Sequence, residues 1–112
     1  MKVQIDIWND WSIVVPDCEF TVASIVEMRN SLELLEKRDC LKIALDLEKV
    51  NYLDSSAIGL MMNLYKRIKI RNGKFCVFGV KNDTKSILEM VNFDKTVPTY
   101  TTREKFEKEQ GS

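Results

Sequence analysis

Asp54, Ser55 and Ser56 stand in a row where one hydrophobic period gives way to another. A strand-like alternation ends at Leu47, and a helical pattern begins just after the two serines. Hydroxyls and a carboxylate at that place have two kinds of chemistry open to them. They can cap the helix, because Ser and Asp oxygens accept from its unpaired first amides. Alternatively, a serine carrying a phosphate there would meet those amides and the positive end of the helix dipole, about half an elementary charge. Spacing alone favours the cap, and it leaves open which of the three residues supplies it.

The remaining residue types narrow the chemistry. The chain has no histidine, which removes the commonest general base, the commonest transition-metal ligand and any Ser-His pair. Asp17, Glu19, Asp46 and Asp54 are carboxylates without a glycine-rich phosphate loop or a Gly-Lys-Ser/Thr beside them. Cys18, Cys40 and Cys76 are odd in number and widely spaced, so neither a zinc knuckle nor a Cys-x-x-Cys pair is present. They read as reduced structural residues, Cys76 within the apolar run Phe75–Phe78. The expectation is a protein that is not an enzyme and requires no cofactor and no metal. Seventeen basic and 17 acidic residues cancel, so neither nucleic acid nor an anionic membrane is an expected partner. The first residues lack an apolar signal core, and no apolar run approaches the roughly 20 residues of a membrane span. A cytoplasmic location is expected.

The elements that must position Asp54–Ser56 follow from periodicity. Val3, Ile5 and Ile7 alternate with Gln4 and Asp6, the pattern of a half-buried strand. Asn9-Asp10 turns the chain into a second strand, Trp11–Val15, with Trp8 and Trp11 as packing residues on either side of the turn. Thr21–Arg38 is predicted helical, with Ile25, Met28, Leu32 and Leu35 as its apolar stripe. Leu41–Leu47 alternates cleanly. Ser56–Arg71 is a second helix, ended by Asn72-Gly73 with Gly73 as the left-handed cap. Phe75–Val80 is a strand and Asp83–Val91 a helix capped by Asn82 or Asp83. Val97–Tyr100 is predicted as a short edge strand, because of Pro98, and Thr101 or Thr102 caps a last helix that frays towards Ser112. The order is β-β-α-β-α-β-α-β-α. It predicts one α/β domain over residues 1–112, a mixed sheet of about five strands covered by about four helices.

The second helix carries two apolar stripes. Ile58, Met61, Met62, Tyr65 and Ile68 form one, and Leu60 and Leu64 form another beside Lys66 and Arg67. Deep burial explains this best; a partner on one side is the other reading.

The stretch Asp54-Ser55-Ser56-Ala57-Ile58-Gly59 resembles the signature of STAS domains, in which a strand and a loop end in Asp-Ser-Ser/Ala-Gly-Leu-Gly before a helix. Gly73-Lys74-Phe75-Cys76-Val77 resembles the family's glycine and following strand, and Ile87–Lys95 its helix-to-strand element. The element order agrees over nearly the whole chain. The resemblance implies an anti-sigma factor antagonist. Such proteins bind a serine-kinase anti-sigma factor when unphosphorylated, are released by phosphorylation, and are restored by a phosphoserine phosphatase. The first serine after the aspartate carries the phosphate, which falls on Ser55, with Ser56 as the alternative. Asp17, Glu19, Thr21, Asp54, Ser55, Ser56, Ala57, Ile58 and Leu60 are the implied partner-binding residues. The family also implies two alternatives: a scaffold subunit of a transport or lipid-trafficking system, and a nucleotide-binding module. Two departures fall at this surface. Ala57 stands where the family usually has glycine, and Pro16-Asp17-Cys18-Glu19 replaces Gly-Glu-Leu-Asp while keeping two acidic positions.

Overall fold

The computed structural model describes residues 1–111. Its elements in chain order are β1 (Val3–Trp8), β2 (Trp11–Pro16), α1 (Ile25–Lys37), β3 (Lys42–Asp46), α2 (Ser55–Ile70), β4 (Lys74–Phe78), α3 (Asn82–Met90), a 3-10 turn at Phe93–Lys95, and α4 (Arg103–Gly111). The sheet has four strands in the order β1-β2-β3-β4. β1 runs antiparallel to β2, while β2, β3 and β4 are mutually parallel. Asn9 takes the left-handed conformation (φ 54°) that the tight β1–β2 turn requires.

Alternation sends the two faces of the sheet into different cores. Val14, Ile43, Leu45, Phe75 and Val77 face the helices, where Met28, Leu32 and Leu35 of α1 and Met61, Leu64 and Ile68 of α2 cover them. Ile13, Val15, Ala44, Cys76 and Phe78 point to the opposite face, which Phe106 of α4 closes. The Phe106 ring sits 4.9 Å from Phe78, 5.1 Å from Trp11 and 5.4 Å from Trp8 between ring centres. The two tryptophans are thus packing residues, as their place beside the turn indicated. Cys76 is buried, and desolvation pushes its thiol up to about 12.

Several expectations are corrected. The predicted fifth strand is a single parallel bridge, Thr99 to Val77, made by Val77 N–H to Pro98 O (3.1 Å) and Tyr100 N–H to Val77 O (2.9 Å). The 3-10 turn on one side and the Thr101–Thr102 approach to α4 on the other leave no length for more. The left-handed residue after α2 is Asn72 (φ 62°), not Gly73. Asn72 N–H reaches Lys69 O and Gly73 N–H reaches Ile68 O (3.0 and 2.8 Å), the paired closing bonds of a helix end. Gly73 is needed for space: a Cβ there would lie 2.4 Å from Leu41 O. At the start of α3 neither Asn82 nor Asp83 caps; Thr84 Oγ1 accepts from Lys81 N–H at 3.2 Å. Thr102 rather than Thr101 caps α4, accepting from Lys105 N–H at 3.2 Å. Finally, β1 is less covered than its pattern implied. Val3 packs on the core, but Ile5 and Ile7 are 37% and 71% exposed. Period 2 aligns residues on a face without guaranteeing that a helix reaches over it.

Candidate functional site

The site lies where two chain segments leave the sheet. From β2, Pro16 leads into a loop whose first anchor is Asp17. Its carboxylate accepts from Lys2 N–H at 2.8 Å and its own N–H donates to Lys2 O at 3.1 Å. The Lys2 bond is the main reason the Asp17 carboxyl lies below its ordinary value. Glu19 is exposed beyond it. Buried Ser24 ties the loop back on itself: its hydroxyl donates to Glu19 O at 2.9 Å and accepts from Thr21 N–H at 3.1 Å. The helix expected from Thr21 therefore begins only at Ile25, after this turn.

The second segment follows β3. Val50 and Leu53 are buried, which draws the loop inward and sets its direction. Phe20 and Leu53 form a one-residue bridge, with Phe20 N–H to Tyr52 O at 3.0 Å and Asp54 N–H to Phe20 O at 3.2 Å. Both side chains are in the core, so burial fixes the two loops side by side.

Asp54 completes the junction. One carboxylate oxygen accepts from Ala57 N–H at 3.1 Å and caps α2; the other accepts from Val22 N–H at 2.9 Å on the neighbouring loop. These bonds, the Val22 one foremost, hold its carboxyl below the ordinary carboxylate range. The cap is therefore Asp54 and neither serine. Ser55 is the first residue of α2 and is exposed, while Ser56 is half-buried. Along the outer side of α2, Ser55, Ser56, Gly59 and Asn63 face Ile25 and Arg29 of α1 across a shallow groove. A Cβ on Gly59 would meet nothing within 4 Å, so the groove floor there is open to an approaching surface. Arg67 ends the groove and is held by two bonds to the Glu36 carboxylate, 3.1 and 2.9 Å.

The structure thus brings Asp17, Glu19, Thr21, Asp54, Ser55 and Ser56 to one end of the molecule, with Ile58 half-buried behind them. Ala57 and Leu60 are different. Both are buried among the core residues, because their helical phase is that of Met61, Leu64 and Ile68. Ala57 supports the site from below, with its extra methyl inside the core, while Leu60 packs into the core and also lines the floor of the groove. The Leu60/Leu64 stripe is core as well. Two residues were overlooked in the sequence. Val22, whose amide meets Asp54, and Val26 in the first turn of α1 are 68% and 56% exposed, with Tyr52 exposed on the segment that leads to Asp54. Their signal is legible in retrospect: valines four apart and off the Met28/Leu32/Leu35 stripe. Asp46 takes no part in the cluster. Its carboxylate accepts from Glu48 N–H at 3.0 Å, and burial raises its pKa.

Among the described residues no group of three or more acidic or cysteine side chains is placed to hold a metal ion, and no helix is long and apolar enough to cross a membrane. What the arrangement offers is an exposed primary hydroxyl at the positive end of a 16-residue helix, beside apolar side chains on a hydrogen-bonded loop.

A family model of the STAS domain matches residues 2–106. An anti-sigma F factor antagonist of Paenibacillus polymyxa is 31% identical over 68 residues, 61% of this chain; the match spans 58% of that relative's length. A candidate anti-sigma factor antagonist from Thermotoga maritima has the same fold, with a TM-score of 0.91 at 22% identity over 98% of this chain and 95% of that one. The Bacillus anti-sigma factor antagonist SpoIIAA has been solved in an unphosphorylated and a phosphorylated form. They superpose with TM-scores of 0.74 and 0.72 at 12% identity, covering 99% and 97% of this chain and 100% of each of theirs.

Proposed function

The chain belongs to the STAS domain family, and from that premise we propose that it is an anti-sigma factor antagonist switched at Ser55. The observation that carries this reading is a division of labour at the start of α2. Asp54 supplies the cap, which leaves the neighbouring Ser55 hydroxyl exposed at the first helical position. The P. polymyxa relative supports the class.

In the unphosphorylated form the loop Asp17–Val22, Val26 and the outer side of Asp54–Asn63 dock on a serine-kinase anti-sigma factor and keep it from its sigma factor. The kinase aligns ATP with Ser55. Ser55 Oγ forms a bond to the terminal phosphorus, the bond to the bridging oxygen breaks, and ADP leaves. The hydroxyl proton passes to a base on the kinase. Asp54 is not that base, since both of its oxygens are engaged by backbone amides and its pKa is lowered. Asp54 instead positions Ser55. The new phosphate puts close to two negative charges inside the contact, and the complex separates. A phosphoserine phosphatase resets the switch. In this role the chain is the substrate of an enzyme and performs no turnover of its own.

The test is affinity capture from the source cell, followed by Mg-ATP. The reading requires that a serine kinase be retained and that ATP release it as phosphate appears on Ser55. Retention of transport or lipid-trafficking proteins in its place, indifferent to ATP, would replace it with the scaffold role.

A further inference from the structure

We propose that the chain pairs with a second copy of itself edge to edge through β1, antiparallel, with Ile5 on the two-fold axis. β1 is an outer strand of the sheet. Its hydrogen-bond phase follows from the hairpin. Asp17 N–H donates to Lys2 O, and the register runs from Val3 opposite Pro16 to Trp8 opposite Trp11. Pro16 has no N–H to give Val3. Lys2, Gln4, Asp6 and Trp8 therefore turn their amides towards β2, and Val3, Ile5 and Ile7 turn theirs outward. Outer strands usually carry lysine, proline or a bulge against such pairing. Here the outward residues are three aliphatic ones, two of them left open by α1.

The strand is complementary to itself. With Ile5 opposite Ile5 of the other copy, Val3 faces Ile7 and the three outward residues bond as narrow pairs. Their side chains form one apolar strip on the helix-covered face. On the other face Gln4 stands opposite Asp6, and Lys2 opposite the ring of Trp8. Asp6 also lies diagonal to Lys2 of the other copy, within reach of a long side chain. In the free chain Gln4 Nε2 already donates to Asp6 Oδ1 at 2.9 Å, so the two groups are matched. Moving the axis to Asp6 would set that carboxylate against its own copy. Moving it to Gln4 would place Ile7 opposite Met1, outside β1. The axis stands normal to the sheet, so the two Ser55 sites lie at opposite ends of the joined sheet and each stays accessible to a partner.

Sedimentation equilibrium from about 1 μM to about 1 mM is the first test, with dimer growing over that range. Amide exchange by NMR over the same range is the second. Val3, Ile5 and Ile7 gain protection with concentration, while Gln4 and Asp6, already bonded to β2, do not change. Ile5→Lys sets two like charges on the axis and weakens association at least about 10-fold. Ile7→Lys, at a more exposed position, does the same with the melting temperature unchanged, and Ile70→Lys on α2 has no effect. A monomer at every concentration overturns the proposal. So does association that leaves the β1 amides unchanged or that both lysine variants tolerate.

Discussion

The Asp54 carboxylate and the Val22 amide, 32 positions apart, meet at 2.9 Å, and that bond fastens the loop before α1 to the start of α2. Its second oxygen caps the helix. One side chain thus fixes both borders of the Ser55 site. Asp54→Ala is expected to cost about 1 kcal/mol, the usual loss of a cap. Amide exchange should accelerate at Val22 and Ala57 together. Faster exchange at Ala57 alone would mean that the two loops are held by the Phe20–Leu53 bridge without it.

The same carboxylate predicts a pH signature. Its folded pKa lies below the ordinary 3.8, chiefly through the Val22 bond. The stability it contributes is complete above 3.8 and is lost as pH falls through the folded value. Asp10 and Asp17 are shifted the same way, so only a difference isolates Asp54. The stability gap between wild type and Asp54→Asn should be constant at neutral pH and close in acid. Urea melts at several pH values measure it.

The sequence carried the central elements because their periods were clean: Leu41–Leu47 on one face, Met28/Leu32/Leu35 on one stripe. It carried less where several residues competed for one task. Asp54, Ser55 and Ser56 are all good caps, and the structure gives the task to Asp54, whose other oxygen also meets Val22 across the chain. Asn72 and Gly73 are both left-handed candidates; the closing bonds of α2 put Asn72 there, and the glycine at 73 answers to Leu41, 32 residues away, which leaves no room for a Cβ. Ile7 and Val22 show the same limit differently. A side chain's face is local information, but whether another element covers that face is not. The role of α4 was least visible, since eight of its nine residues are polar, charged or glycine and Phe106 alone does the packing.

That last point gives a prediction. Phe106 touches Trp8, Trp11, Phe78 and Tyr100 and is fully buried. Phe106→Ala should cost about 3–5 kcal/mol and release α4 from the sheet. Trp8 and Trp11 would report it as red-shifted fluorescence. A shift in stability without a shift in emission would mean that α4 stays docked through its other contacts.

Gly79 is the one described glycine with a left-handed backbone (φ 74°). A Cβ there would also lie 2.9 Å from Asp46 Oδ1 and 3.0 Å from Glu48 N, so it would press on the turn that Asp46 closes. Gly79→Ala should destabilise by about 1 kcal/mol or more, read as a lower urea midpoint. An unchanged midpoint would show that the turn yields freely.

The proposed switch at Ser55 is tested most directly by titrating the cognate anti-sigma factor with the protein in two forms, unmodified and enzymatically phosphorylated at Ser55. In the free protein the phosphate faces water and the start of α2, where a negative charge favours the helix by about 0.3–1 kcal/mol, so the melting temperature should scarcely move. In the complex the same charge is desolvated against the partner, where like-charge contact costs several kcal/mol. The account predicts affinity lower by roughly 100-fold or more for the phosphorylated form, with the fold intact. Equal affinity of the two forms would contradict it.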